Sequence, residues 1–219
     1  MNKENILSKI SKMSEEELID LACSTSDVEV LNILAENANY EVRCTVAENM
    51  NTPVELLAML AKDEESGVRC AVANNRNTSA DVLAMLASDK TWWVRNTVAE
   101  NKNTPIEFLT VLAQDIDWRV RKAVASNKNA PEEVLSDLAK DDNSYVRNAV
   151  AENENTSIDV LAILAKDEDD NVRWTVTLNK NTPIETLVFL SKDNNEWVSK
   201  VANGALKERK EKSKTSIER

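Results

Sequence analysis

Arginine and aspartate are the charged side chains whose spacing in this sequence could support a binding chemistry. A Val-Arg pair recurs every 26 residues, from Val42-Arg43 to Val172-Arg173, without insertion or deletion. The recurring arginines are Arg43, Arg69, Arg95, Arg121, Arg147 and Arg173. An aspartate stands six residues before each of the last five, at Asp63, Asp89, Asp115, Asp141 and Asp167. Guanidinium groups in a row could bind anions, or they could hold neighbouring repeats together.

Aromatic side chains form the second candidate feature. All five tryptophans fall within or just before the segment that contains the Val-Arg pair or, for Trp197, its degraded copy Val198-Ser199. They could fill gaps between neighbouring helices, or line a pocket for a small molecule. Exposed tryptophan and tyrosine would instead suit protein recognition, because these residues are favoured anchors of interfaces. On that hypothesis the candidate protein-binding residues are Trp92, Trp93, Trp118, Tyr145 and Trp174.

The residue types of an enzyme or a metal site are largely missing. The sequence has no histidine, and its three cysteines, Cys23, Cys44 and Cys70, lack metal-ligand spacing. Carboxylates that recur every 26 residues suit helix caps better than a catalytic pair, and no glycine-rich phosphate loop is present. We therefore predict no catalytic, metal-binding or cofactor-binding residues, and no cofactor.

Composition limits which classes of partner and which cellular compartment are expected. The formal net charge is −11, although Lys207–Arg219 is basic. An acidic body repels phosphate backbones and anionic lipids, so we expect neither nucleic acid nor membrane as a partner. No apolar segment is long enough to span a bilayer, and no signal peptide is recognised at the N-terminus. Unpaired cysteines fit a reducing compartment, so the expected location is cytoplasmic.

The 26-residue period predicts a solenoid of short helices in pairs. In each repeat a boundary aspartate should cap the first helix, and an asparagine in the left-handed conformation should end it. Thr-Pro-x-Glu or a variant should open the second helix with threonine as the N-cap. We expect the leucines of the second helix to be core. The apolar row Met59, Met85, Val111, Ile163 and Phe189, interrupted at Asp137, is predicted to be core as well.

The predicted organisation is one elongated array with distinct ends. Residues 1–36 form an N-terminal capping half-repeat, which includes a Ser14–Glu17 capping box. Residues 37–192 hold six tandem repeats, and residues 193–206 form a degenerate C-terminal capping repeat. The charged tail, residues 207–219, is expected to be disordered. The N-terminal half-repeat and the charged C-terminal tail suggest closed ends, which favours a monomer.

The pattern VRxxVAxNxNTPxELLxxLAxD resembles the leucine-rich repeat variant family, whose helical repeats are HEAT-like. The resemblance covers about residues 27–203. It implies an all-α fold, a right-handed α-solenoid of about seven two-helix repeats, with one helix of each pair possibly 3₁₀. HEAT-type arrays use an Asp/Arg pair within and between units, which implies a structural ladder for the arginines and aspartates named above. Some relatives bind an iron–sulfur cluster through N-terminal cysteines, but Cys23 alone cannot.

Fold and composition together favour a non-enzymatic scaffold that presents one face of its repeat helices to a protein or peptide. Two alternatives belong to other classes. Some HEAT-like folds are DNA-base glycosylases, which need a basic groove that this acidic sequence does not offer. The chain could also be a purely structural spacer or assembly module.

Overall fold

The computed structural model describes residues 3–217, and the side chains of residues 5–211. These residues form sixteen α-helices and no strand. The helices of the N-terminal half are α1 (Lys3–Ile10), α2 (Glu15–Ser24), α3 (Val28–Leu34), α4 (Tyr40–Glu48), α5 (Val54–Leu60), α6 (Ser66–Asn74), α7 (Ala80–Leu86) and α8 (Trp92–Glu100). Those that follow are α9 (Ile106–Leu112), α10 (Trp118–Ser126), α11 (Glu132–Leu138), α12 (Ser144–Glu152), α13 (Ile158–Leu164), α14 (Asp170–Leu178), α15 (Ile184–Leu190) and α16 (Glu196–Ile217).

The helices alternate as the period predicts, and the all-α repeat fold is confirmed. Two compact units are present, Met1–Phe108 and Leu109–Arg219. From α4 to α14 the even-numbered helices are first helices of nine residues, and from α3 to α15 the odd-numbered ones are second helices of seven. The second helices are α-helical rather than 3₁₀. Within each unit, consecutive first helices pack directly against each other.

The core consists of one apolar stripe from each helix. Valines four residues apart, such as Val94 and Val98, are fully buried on the first helices. Leucines three apart, such as Leu57 and Leu60, are buried on the second helices. A seven-residue helix is too short to be stable alone in water, so the second helices depend on this packing.

The asparagine that ends each first helix has a different role from the one predicted. Among the described residues none has positive φ, and Asn75 lies at φ −70° and ψ 130°. Its side chain is buried, and its amide Nδ2 donates to the carbonyls of Ala47 (2.6 Å) and Asn49 (3.2 Å) in the preceding repeat. Its Oδ1 accepts from the Asn77 N–H at 2.9 Å. The prediction that asparagine ends the first helix in the left-handed conformation was therefore wrong. Asparagine is needed here as a buried hydrogen-bond donor and acceptor between repeats.

The same bonds recur along both units. Asn49, Asn101, Asn153 and Asn179 each donate to the end of the first helix one repeat earlier. The second asparagine of the Asn-x-Asn-Thr sequence also reaches back, as Asn77 does to the Met50 carbonyl at 2.6 Å. Both amides of the motif are therefore used to join neighbouring repeats.

The threonine of this motif is likewise not the predicted N-cap. The second helix begins two residues later, and Pro53 occupies the N-cap position of α5 without a side-chain hydrogen bond. Thr52 is buried, and its hydroxyl donates to the Val46 carbonyl at 2.5 Å. Equivalent bonds hold Thr78, Thr104, Thr156 and Thr182. A buried carbonyl at the end of the first helix needs a donor, and the threonine supplies it.

The recurring arginine joins two repeats. Arg69 donates from Nε and Nη2 to both carboxylate oxygens of Asp89, twenty residues later, at 2.6 and 3.0 Å. Its Nη1 donates to the backbone carbonyls of Asp63 (2.8 Å) and Glu64 (2.9 Å). The pairs with the same bidentate geometry are Arg43–Asp63, Arg121–Asp141, Arg147–Asp167 and Arg173–Asp193. Arg95 donates to the Asp89 carbonyl, and Arg121 to that of Asp115.

The boundary aspartate therefore precedes the N-cap instead of being the N-cap. The caps of the first helices lie two residues later, at Asn39, Glu65, Thr91, Asp117, Asn143 and Asp169. Asp89 accepts from the Thr91 N–H at 2.9 Å, which fixes the turn before α8. One carboxylate thus orients a turn and closes an ion pair at the same time.

The two ends of the chain differ from the central repeats. The predicted Ser14–Glu17 capping box is confirmed, with the Ser14 N–H donating to Glu17 Oε2 at 2.7 Å. At the other end, α16 continues to Ile217, where a disordered tail was expected. Lys and Glu are good helix formers, and Arg209 in this helix donates to the carbonyls of Thr182 and Lys180. The domain limits given above remain a proposal.

Ala130 interrupts the threonine series and provides a test of its hydroxyl bond. We expect Ala130→Thr to raise the free energy of unfolding by about 1 kcal/mol, because the new hydroxyl can donate to the Val124 carbonyl. The matched change Thr156→Ala should lower it by about 1–2 kcal/mol, since the Val150 carbonyl loses this donor. Thermal or urea unfolding measures both. A destabilising Ala130→Thr would contradict this role.

The ion pairs should also make the protein sensitive to acid. The hydrogen bonds from Arg173 lower the pKa of Asp193 below its usual value. Burial raises the pKa values of Asp63, Asp89 and Asp141, but hydrogen bonds from arginine and the backbone outweigh it and lower them overall. A carboxylate with a lowered pKa in the folded state stabilises it above about pH 4, and this stability is lost as the pH falls through the folded pKa.

We therefore expect Asp193→Asn to lower the free energy of unfolding by about 2 kcal/mol at pH 7, where the Arg173 partner loses a charged acceptor. The difference from wild type should shrink as the pH falls below about 4 and through the lowered folded pKa of Asp193, because the wild-type carboxylate then becomes protonated and loses its charge. Urea midpoints across this range give the comparison. A difference that stays constant down to the lowest pH would exclude this explanation.

Candidate functional site

The aromatic residues lie on the first helices, mostly with one face in solvent. Trp93 is 44% exposed, Tyr145 63% and Trp174 41%, whereas Trp92 and Trp118 are half-buried. The exposed residues lie on α8, α12 and α14. Each is followed or preceded closely by a Val-Arg pair whose valine is buried in the core. The buried positions of the repeat therefore fix the backbone from which these rings project.

Two pairs of rings are in contact. Trp92 and Trp93 meet edge to face on α8, with ring centroids 5.7 Å apart and an interplanar angle of 88°. Trp118 of α10 stacks on Tyr145 of α12, with centroids 5.4 Å apart and an angle of 26°. The half-buried tryptophan of each pair packs against the more exposed ring. Both roles considered for the aromatic residues are therefore present, because one ring fills space between helices and its neighbour faces solvent.

Trp174 borders an open cleft of about 400 Å³ between α14 and the start of α16. Its lining consists of Asp170, Asn171, Trp174, Asn195, Trp197 and Val198. Trp197 is 70% exposed, and the Lys200 Nζ lies 5.4 Å from its ring centroid. Asn195 Nδ2 donates to Asp170 Oδ2 at 2.5 Å. The cleft thus combines two indole rings with an oriented carboxylate.

Two more hollows flank this cleft. A polar one of about 880 Å³ shares Asp170, Asn171 and Asn195 with it and extends to Asp142 and Glu168. A smaller one of about 280 Å³ lies on the other side of Trp174, beside Glu152 and Leu178. Trp174 is therefore bordered on both sides by space that a ligand could enter, and both spaces include acidic side chains.

The apolar row of the second helices is exposed, and the prediction that it is core was wrong. Met59, Met85, Val111, Ile163 and Phe189 are each at least 40% accessible. The buried stripe of these helices is formed by neighbouring residues, such as Leu56, Leu57 and Leu60 on α5. A seven-residue helix has room for one buried stripe, and the sixth position falls outside it. The row is a second surface with apolar character.

The arginines do not form an anion-binding row of free donors. On Arg69, Arg147 and Arg173 the Nε, Nη1 and Nη2 atoms all donate to aspartate or to backbone carbonyls. These bonds use the guanidinium groups for joining repeats. The arginine and aspartate positions are therefore described best as structural.

The remaining reactive groups are scattered. The three cysteines are free, and burial raises the pKa of the Cys44 thiol to about 11, so it is a poor nucleophile. In the part of the chain that is described, no three Cys, Asp or Glu side chains converge as metal ligands would. Of the helices with assigned positions, none has the length and apolar character to cross a bilayer.

Of the residues that line the cleft, only Trp174 was among the predicted site residues, and the two most important ones that were missed are Trp197 and Asp170. Trp197 lies on the same outward position as Trp93 and Tyr145, but it falls in the degenerate last repeat. Asp170 occupies the position of Trp92 and Trp118, and a lone aspartate in an acidic sequence gives no signal. Alignment of the repeats places Asp170 at the position of two tryptophans, and this alignment could have identified it as a site residue.

Fold and surface together define a helical-repeat protein with exposed aromatic residues on its first helices. The sequence profile of the family described as leucine-rich repeat variant matches residues 40–65 and 118–143, which are two repeats. These two stretches match the leucine-rich repeat variant model, and the resemblance drawn from the sequence is confirmed.

Solved structures give the same result. One described as a leucine-rich repeat variant with a novel repetitive structural motif is 28% identical, with a TM-score of 0.71, over 94% of this chain and 82% of that one. YibA of Escherichia coli is 17% identical, with a TM-score of 0.53, over 94% of this chain and 97% of its own, and shows the fold alone. No match was found among curated proteins.

Exposure of the rings can be measured directly. We expect tryptophan emission to be red-shifted and quenched readily by acrylamide, because Trp93, Trp174 and Trp197 each present a large part of the indole to water. Replacing these three with asparagine should leave Trp92 and Trp118, with bluer emission and a smaller quenching constant. Unchanged quenching after the replacement would show that the rings are not exposed in solution.

Proposed function

We propose that this protein is a non-enzymatic scaffold that binds a protein or peptide through the outward face of its first helices. The observation that carries the proposal is the exposure of Trp93, Tyr145 and Trp174 beside buried, invariant positions of the same helices. Tryptophan and tyrosine lose little conformational entropy on binding and contribute large contact areas. Exposed aromatic residues of this kind are typical anchors of protein interfaces.

The variation between repeats supports a specific partner. The position of Trp93 holds Gly67, Arg119, Tyr145 and Asn171 in other repeats, while the buried valine beside it is constant. A repeat protein can change these side chains without disturbing its core, and this is how such arrays acquire distinct binding surfaces. The second-helix row is instead apolar in every repeat except at Asp137, which gives less discrimination.

Charge and chemistry support the remaining parts of the proposal. The recurring carboxylates Asp63, Asp89, Asp141, Asp167 and Asp193 are occupied in ion pairs with arginine. The acidic sequence disfavours nucleic acid and anionic membranes as partners. We further propose a monomer that acts in the cytoplasm, consistent with three free cysteines.

Selection of random displayed peptides on the immobilised protein tests the function. We expect enriched peptides whose binding weakens at least about tenfold in the variants Trp93→Asn, Tyr145→Asn or Trp174→Asn, a loss typical of aromatic anchors. Trp93 and Tyr145 share a repeat position that is Asn171 in another repeat, and the position of Trp174 is Asn96 and Asn148 in two others, so the variants should fold. Binding is measured by calorimetry with synthetic peptides.

A matched control uses the second-helix surface. Phe189→Asp copies Asp137, which occupies the same position two repeats earlier, and should leave peptide affinity unchanged. Peptides that lose affinity only in Phe189→Asp would assign binding to the second helices and contradict the proposal. Failure to enrich any peptide would contradict it as well.

The glycosylase alternative predicts a different result. An enzyme of that class would bind duplex DNA at low salt, and its affinity would fall steeply as salt is added, because phosphate contacts release counterions. We expect no such binding. Tight, salt-sensitive association in a fluorescence-anisotropy titration would overturn the scaffold proposal.

A further inference from the structure

The cleft beside Trp174 lacks an aromatic ring that is present at the equivalent position two repeats earlier in the C-terminal unit. Trp118 stacks on Tyr145, and displacement of this pair by two repeats gives Asp170 and Trp197. At the first place a flat ring covers the aromatic residue of the next repeat. At the second the ring is replaced by a short carboxylate, and a cleft of about 400 Å³ opens between Asp170, Trp174 and Trp197.

The lining of the cleft selects a flat cation. Indole faces attract cations, and a guanidinium group stacks on them in the same manner as an aromatic ring. The Lys200 ammonium lies 5.4 Å from the Trp197 ring centroid, which is one cation–π contact already made by this ring. Asp170 is held by Asn195 through one oxygen, and a carboxylate in a fixed orientation suits the paired N–H groups of guanidinium.

We propose that this cleft is the subsite for an arginine side chain of the bound protein or peptide. The guanidinium plane stacks on Trp197, in the place that Trp118 takes against Tyr145, and its N–H groups donate to Asp170. The arginine stem then packs beside Trp174. This inference rests on the proposed function, since it assigns one residue of the partner to one cleft of the scaffold.

The surroundings of the cleft agree with this charge. The adjoining polar hollow contains Asp142, Glu168 and Asp169, and its two arginines, Arg147 and Arg173, are paired with Asp167 and Asp193. The acidic side chains outnumber the cations that face this space. The whole chain is acidic as well, with a formal net charge of −11. A partner segment with further basic residues next to the arginine would therefore be favoured over an acidic one.

The test uses a small probe and the indole signals of the intact protein. Nα-acetyl-arginine methylamide is titrated into ¹⁵N-labelled protein, and its citrulline counterpart, which has the same shape without the charge, serves as the control. We expect saturable shifts of the Trp174 and Trp197 indole N–H signals with arginine only. The Trp92 and Trp93 signals, from outside the cleft, should not move in a saturable way.

Variants taken from other repeats locate the contacts. Asp170→Ser copies Ser66 and Ser144, and Trp197→Asn copies Asn171; each should weaken arginine binding about tenfold. Ile163→Met, which copies Met59 and Met85 on the exposed row of the second helices, is the matched control and should leave arginine binding unchanged. Equal affinity for the citrulline compound, unaltered affinity in Asp170→Ser, or no saturable shift would each overturn the proposal.

The two proposals can fail separately. Peptides that depend on Trp93, Tyr145 or Trp174 and bind without arginine, while the arginine probe gives no saturable shift, would leave the scaffold function intact and remove the subsite. Saturable arginine binding without any enriched peptide would support the subsite and contradict the scaffold function.

Discussion

Buried donors that reach from one repeat to its neighbour are the interaction on which the structure depends. Asn75 donates backward to the end of the preceding first helix, and Arg69 reaches forward to Asp89 of the following repeat. Both side chains are buried, and no buried polar side-chain atom within the described residues lacks a partner. A buried amide or guanidinium without its acceptors would be strongly unfavourable, so two repeats are stable together only in this register. The apolar stripes supply most of the driving force, and these bonds fix the alignment.

This arrangement separates the residues that fold the protein from those that face a partner. Valine, arginine, asparagine, threonine and leucine occupy the positions that contact the next repeat, and they hardly change along the chain. The outward positions of the first helix make few of these contacts, so their side chains are free to differ. The cleft at Asp170 arises in this way: a position that holds tryptophan in two other repeats holds a carboxylate here, and the neighbouring backbone stays the same. A binding surface can therefore change by single substitutions.

The period and the apolar spacing were sufficient to predict helix pairs and their core, because burial of valine and leucine follows directly from helical geometry. The roles of the polar residues could not be predicted in the same way. Asn75 has the residue type of a helix stop, and only the position of the preceding repeat shows that its amide is a buried donor. Met59 is apolar yet exposed, because a seven-residue helix buries only one stripe. Of the site, spacing placed the aromatic residues on the first helices but left their exposure open, and the cleft at Asp170 depends on the absence of a ring.

The asparagine and arginine bonds between repeats join residues only 20 to 28 positions apart in a chain of 219. Short sequence separations mean that little loop entropy is lost when each contact forms, and proteins rich in such contacts fold quickly. Neighbouring repeats can meet early and then add further repeats one at a time. The time that the chain needs to reach its native state should therefore depend on how readily one adjoining pair forms, and only weakly on how many repeats the chain contains.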